Sequence, residues 1–193
     1  MSALLVQFLS MVNSRSLPAR QVLTTADAVV VADRFRGVTR MACEFLYNEI
    51  QEVSLNSPVL FRASIPCRSG NVFHEDETGN FILRGLVNNK CSCYAHYQVT
   101  FNGNIAIPEG GTVTPIAIAL TVNGEPRLTS RAIFTPAAVE EFGNVTSTAI
   151  IKVPKGCCFS LGVDSVPATA DPTVTPAPVI EVQNANLTIS RIA

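Results

Sequence analysis

Ile116-Ala117-Ile118-Ala119-Leu120-Thr121-Val122-Asn123-Gly124 alternates large aliphatic side chains with small ones and ends on an Asn-Gly pair. Successive side chains of a strand point to opposite faces, so this period of two predicts a half-buried strand. Asn-Gly supplies the positive φ angles that a two-residue hairpin turn needs. The pattern recurs on both sides of this stretch. Tyr97, Val99 and Phe101 alternate with Gln98, Thr100 and Asn102, and Val145, Ser147, Ala149, Ile151 and Val153 with Thr146, Thr148, Ile150 and Lys152. Cys157, Phe159, Leu161 and Val163 alternate with Cys158, Ser160, Gly162 and Asp164. Pro108-Glu109-Gly110-Gly111 and Pro154-Lys155-Gly156 punctuate these runs as turns. Short strands joined by short turns predict a mainly-β fold, an antiparallel sandwich of the jelly-roll type.

Upstream the period changes. Thr25 to Val53 contains one glycine, Gly37, and no proline, and Thr25 offers a capping hydroxyl ahead of Asp27. Ala28, Val31, Phe35, Val38, Ala42 and Phe45 step alternately by three and four, the spacing of a coiled-coil seam. An N-terminal α-helical segment is expected there, packed on the chain's own β domain, on copies of itself or on a larger body. Pro58 and Pro66 then break the chain, and Asn71–His74 and Phe81–Arg84 flank an acidic turn as a hairpin. The expected organisation is a helical attachment and oligomerisation segment over residues 1–60, a linker and hairpin start over 61–78, and a jelly-roll domain over 79–193. The apolar stretch Met1–Val12 has no preceding Lys or Arg and falls short of the roughly 20 residues that span a bilayer. Neither a targeting signal nor membrane insertion is expected.

Charge narrows the function classes. The 193 residues carry 14 Lys+Arg against 15 Asp+Glu, a net charge of -1, which argues against nucleic acid as partner. Charged residues make up 15% of the chain, well under the roughly 25% of an average soluble domain. Sheet edges are normally guarded by charge, so this scarcity predicts walls covered by other subunits. The small side chains of Ala117 and Ala119 would permit the close approach of another sheet.

The run Tyr97-Gln98-Val99-Thr100-Phe101-Asn102, the later Ala119-Leu120-Thr121-Val122-Asn123-Gly124 and the closing Asn184-Ala185-Asn186-Leu187-Thr188-Ile189-Ser190-Arg191-Ile192-Ala193 together carry a resemblance. Over about residues 79–193 the chain resembles the C1q/TNF-like jelly rolls that end bacterial exosporium collagen-like glycoproteins, and related phage virion modules. That resemblance implies a homotrimer whose last strand, with Leu187 and Ile189, lies near the shared axis. No Gly-X-Y tract is present, so a collagen stalk is excluded. By analogy with virion fibres and capsid decoration proteins, the N-terminal segment would dock to a major capsid protein or other particle component. The knob would then stabilise the shell or meet a host surface glycan or protein. The expected location is the virion surface. A spore or cell-surface subunit, or a secreted ligand-binding module, is the alternative.

Little in the sequence suggests catalysis. Cys91 and Cys93 share one strand face and Cys157 and Cys158 adjoin on a later strand; pairing between the two would require those strands to be neighbours, which leaves open buried reduced thiols, a disulfide, or a zinc site with His96. Cys43, read as helical, and Cys67 are expected to be structural. His74 and His96 are the only histidines, too few for a cupin-type metal cavity, and no Gly-x-Ser-x-Gly elbow or phosphate loop is present. No enzymatic activity, cofactor or metal is expected. The stretch Val166–Pro178 is rich in proline and threonine, and Thr169, Asp171, Thr173 and Thr175 are candidate contacts on an exposed loop.

Overall fold

The structure, a computed structural model, describes residues 42–67, 70–87, 92–171 and 173–192. Within them twelve strands, numbered in chain order, pair antiparallel into two sheets. Sheet I runs β10 (Gly143–Pro154), β6 (Tyr94–Ala106), β12 (Val179–Arg191), β1 (Ala42–Tyr47) and β3 (Arg62–Ile65), with β2 (Gln51–Ser54) also on β12. Sheet II runs β4 (Val72–His74), β5 (Phe81–Arg84), β11 (Cys158–Pro167), β7 (Ile116–Val122) and β8 (Glu125–Pro126), with β9 (Ala132–Phe134) also on β7. The chain crosses repeatedly between sheets, which makes a jelly-roll sandwich rather than two meanders.

The alternation read from the sequence governs which side chains enter the core. Tyr97, Val99 and Phe101 of β6, Ile116, Ile118 and Leu120 of β7, and Leu161 and Val163 of β11 are all buried between the sheets. Phe61, Phe81 and Phe101 join them. The Phe61 ring meets Phe81 at 5.6 Å and Phe101 at 6.4 Å, both edge-on, the geometry that ring quadrupoles favour. Beyond β7 the chain turns through Asn123 (φ 55°) and Gly124 (φ 80°) into β8, so the expected Asn-Gly hairpin is present.

One end of the sandwich is fastened by polar groups. The Tyr97 hydroxyl donates to the carbonyl oxygens of Arg84 (2.6 Å) and Asn71 (3.2 Å), joining β6 of sheet I to β5 of sheet II. Burial is the main influence that pushes the Tyr97 pKa up, so the phenol keeps the proton it donates. Arg191, on the last strand, donates from Nη1 to Asn71 Oδ1 at 2.7 Å and from Nη2 to the Leu86 carbonyl.

The helix expected over 25–53 is corrected from Ala42 onward, where the chain is strand. Ala42 through Tyr47 pairs with Ser190 through Ala185 on β12, and Val53 pairs with Ile180. Phe45 and Cys43 point into the core while Ala42 is exposed. Ala42 and Phe45 suited a seam at i and i+3, but Cys43, Phe45, Gln51 and Val53 also suit period two, and six residues are too few to separate the periods. A waiting strand, β12, decides the outcome. Ala28, Val31, Phe35, Val38 and the rest of the expected helix before Ala42 lie outside the described residues. The divisions expected at 60 and 78 fall inside the sandwich, since β1, β2 and β3 already belong to sheet I and β4 to sheet II.

The cysteines divide into a bonded pair and exposed thiols. Cys43 on β1 is bonded to Cys67 beyond β3, with Cα atoms 5.1 Å apart, within the span a disulfide bridges. Cys93, Cys157 and Cys158 are exposed free thiols, so neither the buried reading nor a disulfide among them holds. Cys91 lies outside the described residues.

Candidate functional site

The outer face of sheet I carries rows of uncharged polar side chains. Its rows follow from register. Thr148 stands opposite Thr100, which stands opposite Thr188, which stands opposite Glu44, so one row crosses β10, β6, β12 and β1. The next row is Thr146, Asn102, Asn186 and Leu46, and the one on the other side is Ile150, Gln98, Ser190 and Ala42. On these four strands only Glu44 in the three rows is ionisable, and Asn186 Nδ2 donates to its Oε1 at 2.8 Å; on β3, Arg62 stands opposite Leu46.

Hydrogen bonds run within this layer. Asn102 Nδ2 donates to Thr146 Oγ1 (2.8 Å), Asn144 Nδ2 to Asn104 Oδ1 (3.1 Å), and Thr148 Oγ1 to Thr100 Oγ1 (3.2 Å). Cross-strand Thr and Asn pairs of this kind hold side chains in fixed positions without charge. The result is a platform of hydroxyls and amides bonded to one another across the strands. Carboxylates gather only at its end, where Glu181 stands opposite Glu52. Burial, then the charges of Glu140 and Glu52, push the Glu181 pKa up.

A one-residue difference separates this face from the one expected. Leu187 and Ile189 are fully buried in the sandwich core, and their neighbours Asn186, Thr188 and Ser190 face outward. Between Gln183 and Asn186 the register shifts, with Asn184 at φ 52°, so β12 holds an extra residue beside Gly103. A slip of one position reverses every side chain.

Sheet II carries different chemistry on its outer face. Ala117 and Ala119 are buried with Val166 and Ala168 in a cluster separate from the main core, so they are not presented to another subunit. Beside them lies an open cleft of about 510 Å³ bordered by Pro58, Leu60, Asn80, Thr121, Gly162 and Asp164, among others. Burial raises the Asp164 pKa, and a hydrogen bond from Thr121 partly offsets that rise.

Other expected groups stay apart. His74 stacks on Phe81 at 4.1 Å and meets Phe45 edge-on at 4.9 Å, with its nitrogens 3.1 Å from the Phe61 carbonyl oxygen and 3.2 Å from that of Asn80. His96 sits on the outer side of β6, 6.5 Å from the Tyr94 ring. Among the described residues no three of His, Cys, Asp and Glu come together as metal ligands. In the loop after β11, Asp171 Oδ1 accepts from the amide (2.9 Å) and hydroxyl (2.7 Å) of Thr173, and these bonds lower its pKa. Asp171, Thr173 and Thr175 are exposed, and Thr169 is half-buried with its hydroxyl accepting from the Asp171 amide.

No family model and no curated protein sequence matches the chain. Solved structures do. Eiger TNF from S. frugiperda is 12% identical with a TM-score of 0.54, covering 80% of this chain and 93% of that one. Murine APRIL at pH 5.0 is 10% identical with a TM-score of 0.51, covering 80% of this chain and 100% of that one. The globular domain of zebrafish complement 1qA is 13% identical with a TM-score of 0.48, covering 79% and 96%. The sandwich has the C1q/TNF-like jelly-roll fold.

Proposed function

We propose that this chain is a non-catalytic assembly and binding module, a homotrimer built through the outer face of sheet I. The platform of Thr100, Thr188, Asn102 and Asn186 carries this reading, since it is wide, ordered by its own hydrogen bonds and nearly free of charge. A closed three-fold ring needs two different patches on each subunit. The second is the edge beside β10 where Leu128 and Ile133 are at least half exposed, with Arg127 Nη1 donating to the Ile150 carbonyl at 3.1 Å. Apolar side chains of one copy would rest on the polar platform of the next, and three copies of a weak outer site would gain avidity from the shared frame.

The setting that best accommodates such a knob is a virion surface, as a phage head fibre or capsid decoration. There the sequence before Ala42, with Ala28, Val31, Phe35 and Val38 at seam spacing, would dock to a capsid component. The loop of Asp171, Thr173 and Thr175 would face outward toward host glycan or protein.

Sedimentation velocity of the purified chain tests the assembly. A three-chain mass at micromolar concentration is expected, and a Thr100→Arg/Thr188→Arg variant should sediment as a folded monomer. A wild-type monomer under those conditions, or a variant that still trimerises, overturns the proposal. Recovery of the protein in purified virions, lost on removal of residues 1–41, tests the setting.

A further inference from the structure

The cleft on sheet II is independent of the assembly face. It opens where β11 changes partners along one edge. Leu161 pairs with Phe81 of β5, whereas further along the strand Val163 accepts from the Val59 amide and Ser165 donates to the Ser57 carbonyl. Gly162 lies at the changeover. An added Cβ there would stand 2.7 Å from Thr121 Oγ1 and 2.9 Å from Asp164 Oδ1, so glycine keeps the floor over the carboxylate open.

Three properties of the cleft define what it accepts. Its bordering residues include no Lys, Arg or His, and its only other ionisable group, Glu77, is bonded to Arg62 at 2.9 Å. Asp164 therefore keeps a half-buried carboxylate whose neighbour is the Thr121 hydroxyl, although an ionised carboxylate has about four acceptor sites to satisfy. Burying a charge without an opposite one is unfavourable, so a cationic ligand would relieve what the free protein bears. Pro58 and Leu60 form an apolar wall beside it, suited to methylene groups. A calcium ion would want about six to eight oxygen ligands, which one free carboxylate does not supply. A quaternary ammonium would want aromatic walls, and none of the bordering residues is aromatic.

We propose that the cleft binds a primary alkylammonium group, with the ammonium hydrogen-bonded to Asp164 and its alkyl stem along Pro58 and Leu60. Free amines and lysine side chains share this chemistry. Amide-resolved NMR titrations of the full chain, with butylammonium, Nα-acetyl-lysine amide, its Nε-acetylated counterpart and N-acetylglucosamine as probes, test it. Both amines should shift the Gly79, Gly162 and Asp164 amides in the millimolar range, and the Nε-acetylated compound should not. A preference of tenfold or more for the lysine derivative assigns the site to protein-borne lysine, and near-equal affinities assign it to small amines. Asp164→Asn, which keeps the shape and the Thr121 bond, should weaken amine binding at least tenfold, and Gly162→Ala should do so by filling the floor. Affinity should fall as pH drops and Asp164 takes up a proton. The proposal is overturned if the shifts are absent, if they persist in Asp164→Asn, if the Nε-acetylated probe binds equally, or if the sugar alone perturbs the cleft.

Discussion

The two sheets bury the same kind of residue and expose opposite kinds. Inside, sheet I contributes Tyr97, Val99, Phe101, Leu187 and Ile189, and sheet II contributes Phe81, Leu83, Ile118, Leu120 and Val163. Outside, sheet I carries hydroxyls and amides that bond to each other across strands, whereas sheet II carries an open cleft bordered by Gly162, Thr121 and the Asp164 carboxylate. The inner positions decide that a sandwich forms, and the alternate positions decide what each side can do. A platform whose polar groups already satisfy one another suits a second protein surface, which adds contacts without stranding donors. A cleft with an undercompensated carboxylate suits a small charged group instead.

The largest expected effect strikes both faces together. Phe101 is fully buried and its ring meets Phe61, so Phe101→Ala should destabilise the fold by about 3–5 kcal/mol. Chemical denaturation would measure this, and trimer and amine binding should fail together. A loss confined to one of them would show that the faces do not share a core. The disulfide should separate the faces. Cys43 and Cys67 close a loop of sequence separation 24 at the β1–β3 side of sheet I, and Cys43→Ser/Cys67→Ser should cost about 3 kcal/mol. Denaturation midpoints with and without a reducing agent check the magnitude: reduction should lower the wild-type midpoint and leave the variant unchanged. Amine shifts at Gly162 and Asp164 should persist at temperatures where the variant is folded.

The same comparison shows what could be read before the structure was known. The inward residues of β6, β7, β10 and β11 were legible because each run alternates over seven residues or more, enough to fix the period. Strands β1 and β2 were not legible, because their inward residues Cys43, Phe45, Gln51 and Val53 form runs of six and four that also suit a helix. What makes them strands is pairing with β12, more than a hundred residues later, and no local pattern encodes that partner. The outward face of β12 was misread: Leu187 and Ile189 were expected on a contact surface, but the bulge at Asn184 and the core's demand for those two side chains put the neighbouring residues outside. The cleft left no motif, since Pro58, Gly79 and Gly162 come from three separate segments.

The smallest predicted effect sharpens the contrast through pH. The folded-state pKa of both Asp164 and Glu181 lies above its ordinary value, so each is favoured in its neutral form by the fold. A raised carboxyl contributes stability that is fully present below its unfolded pKa, near 4, and lost as pH rises through the folded value. Stability should therefore decline from mildly acidic to neutral pH, with Asp164→Asn and Glu181→Gln each flattening that decline. The causes differ between the faces. Burial comes first at both, but at Asp164 the Thr121 bond opposes it, whereas at Glu181 the charges of Glu140 and Glu52 add like-charge repulsion to it. Salt screens charges at a surface with a Debye length of about 3 Å at 1 M, but does not remove a burial penalty. Raising the ionic strength should thus shrink the share of the slope that Glu181→Gln abolishes and leave the share due to Asp164 in place. Melting curves of the two variants between pH 4.5 and 7.5, at about 0.05 and 1 M salt, distinguish these outcomes; equal salt sensitivity would mean that the carboxylates of the two faces lie in the same electrostatic setting.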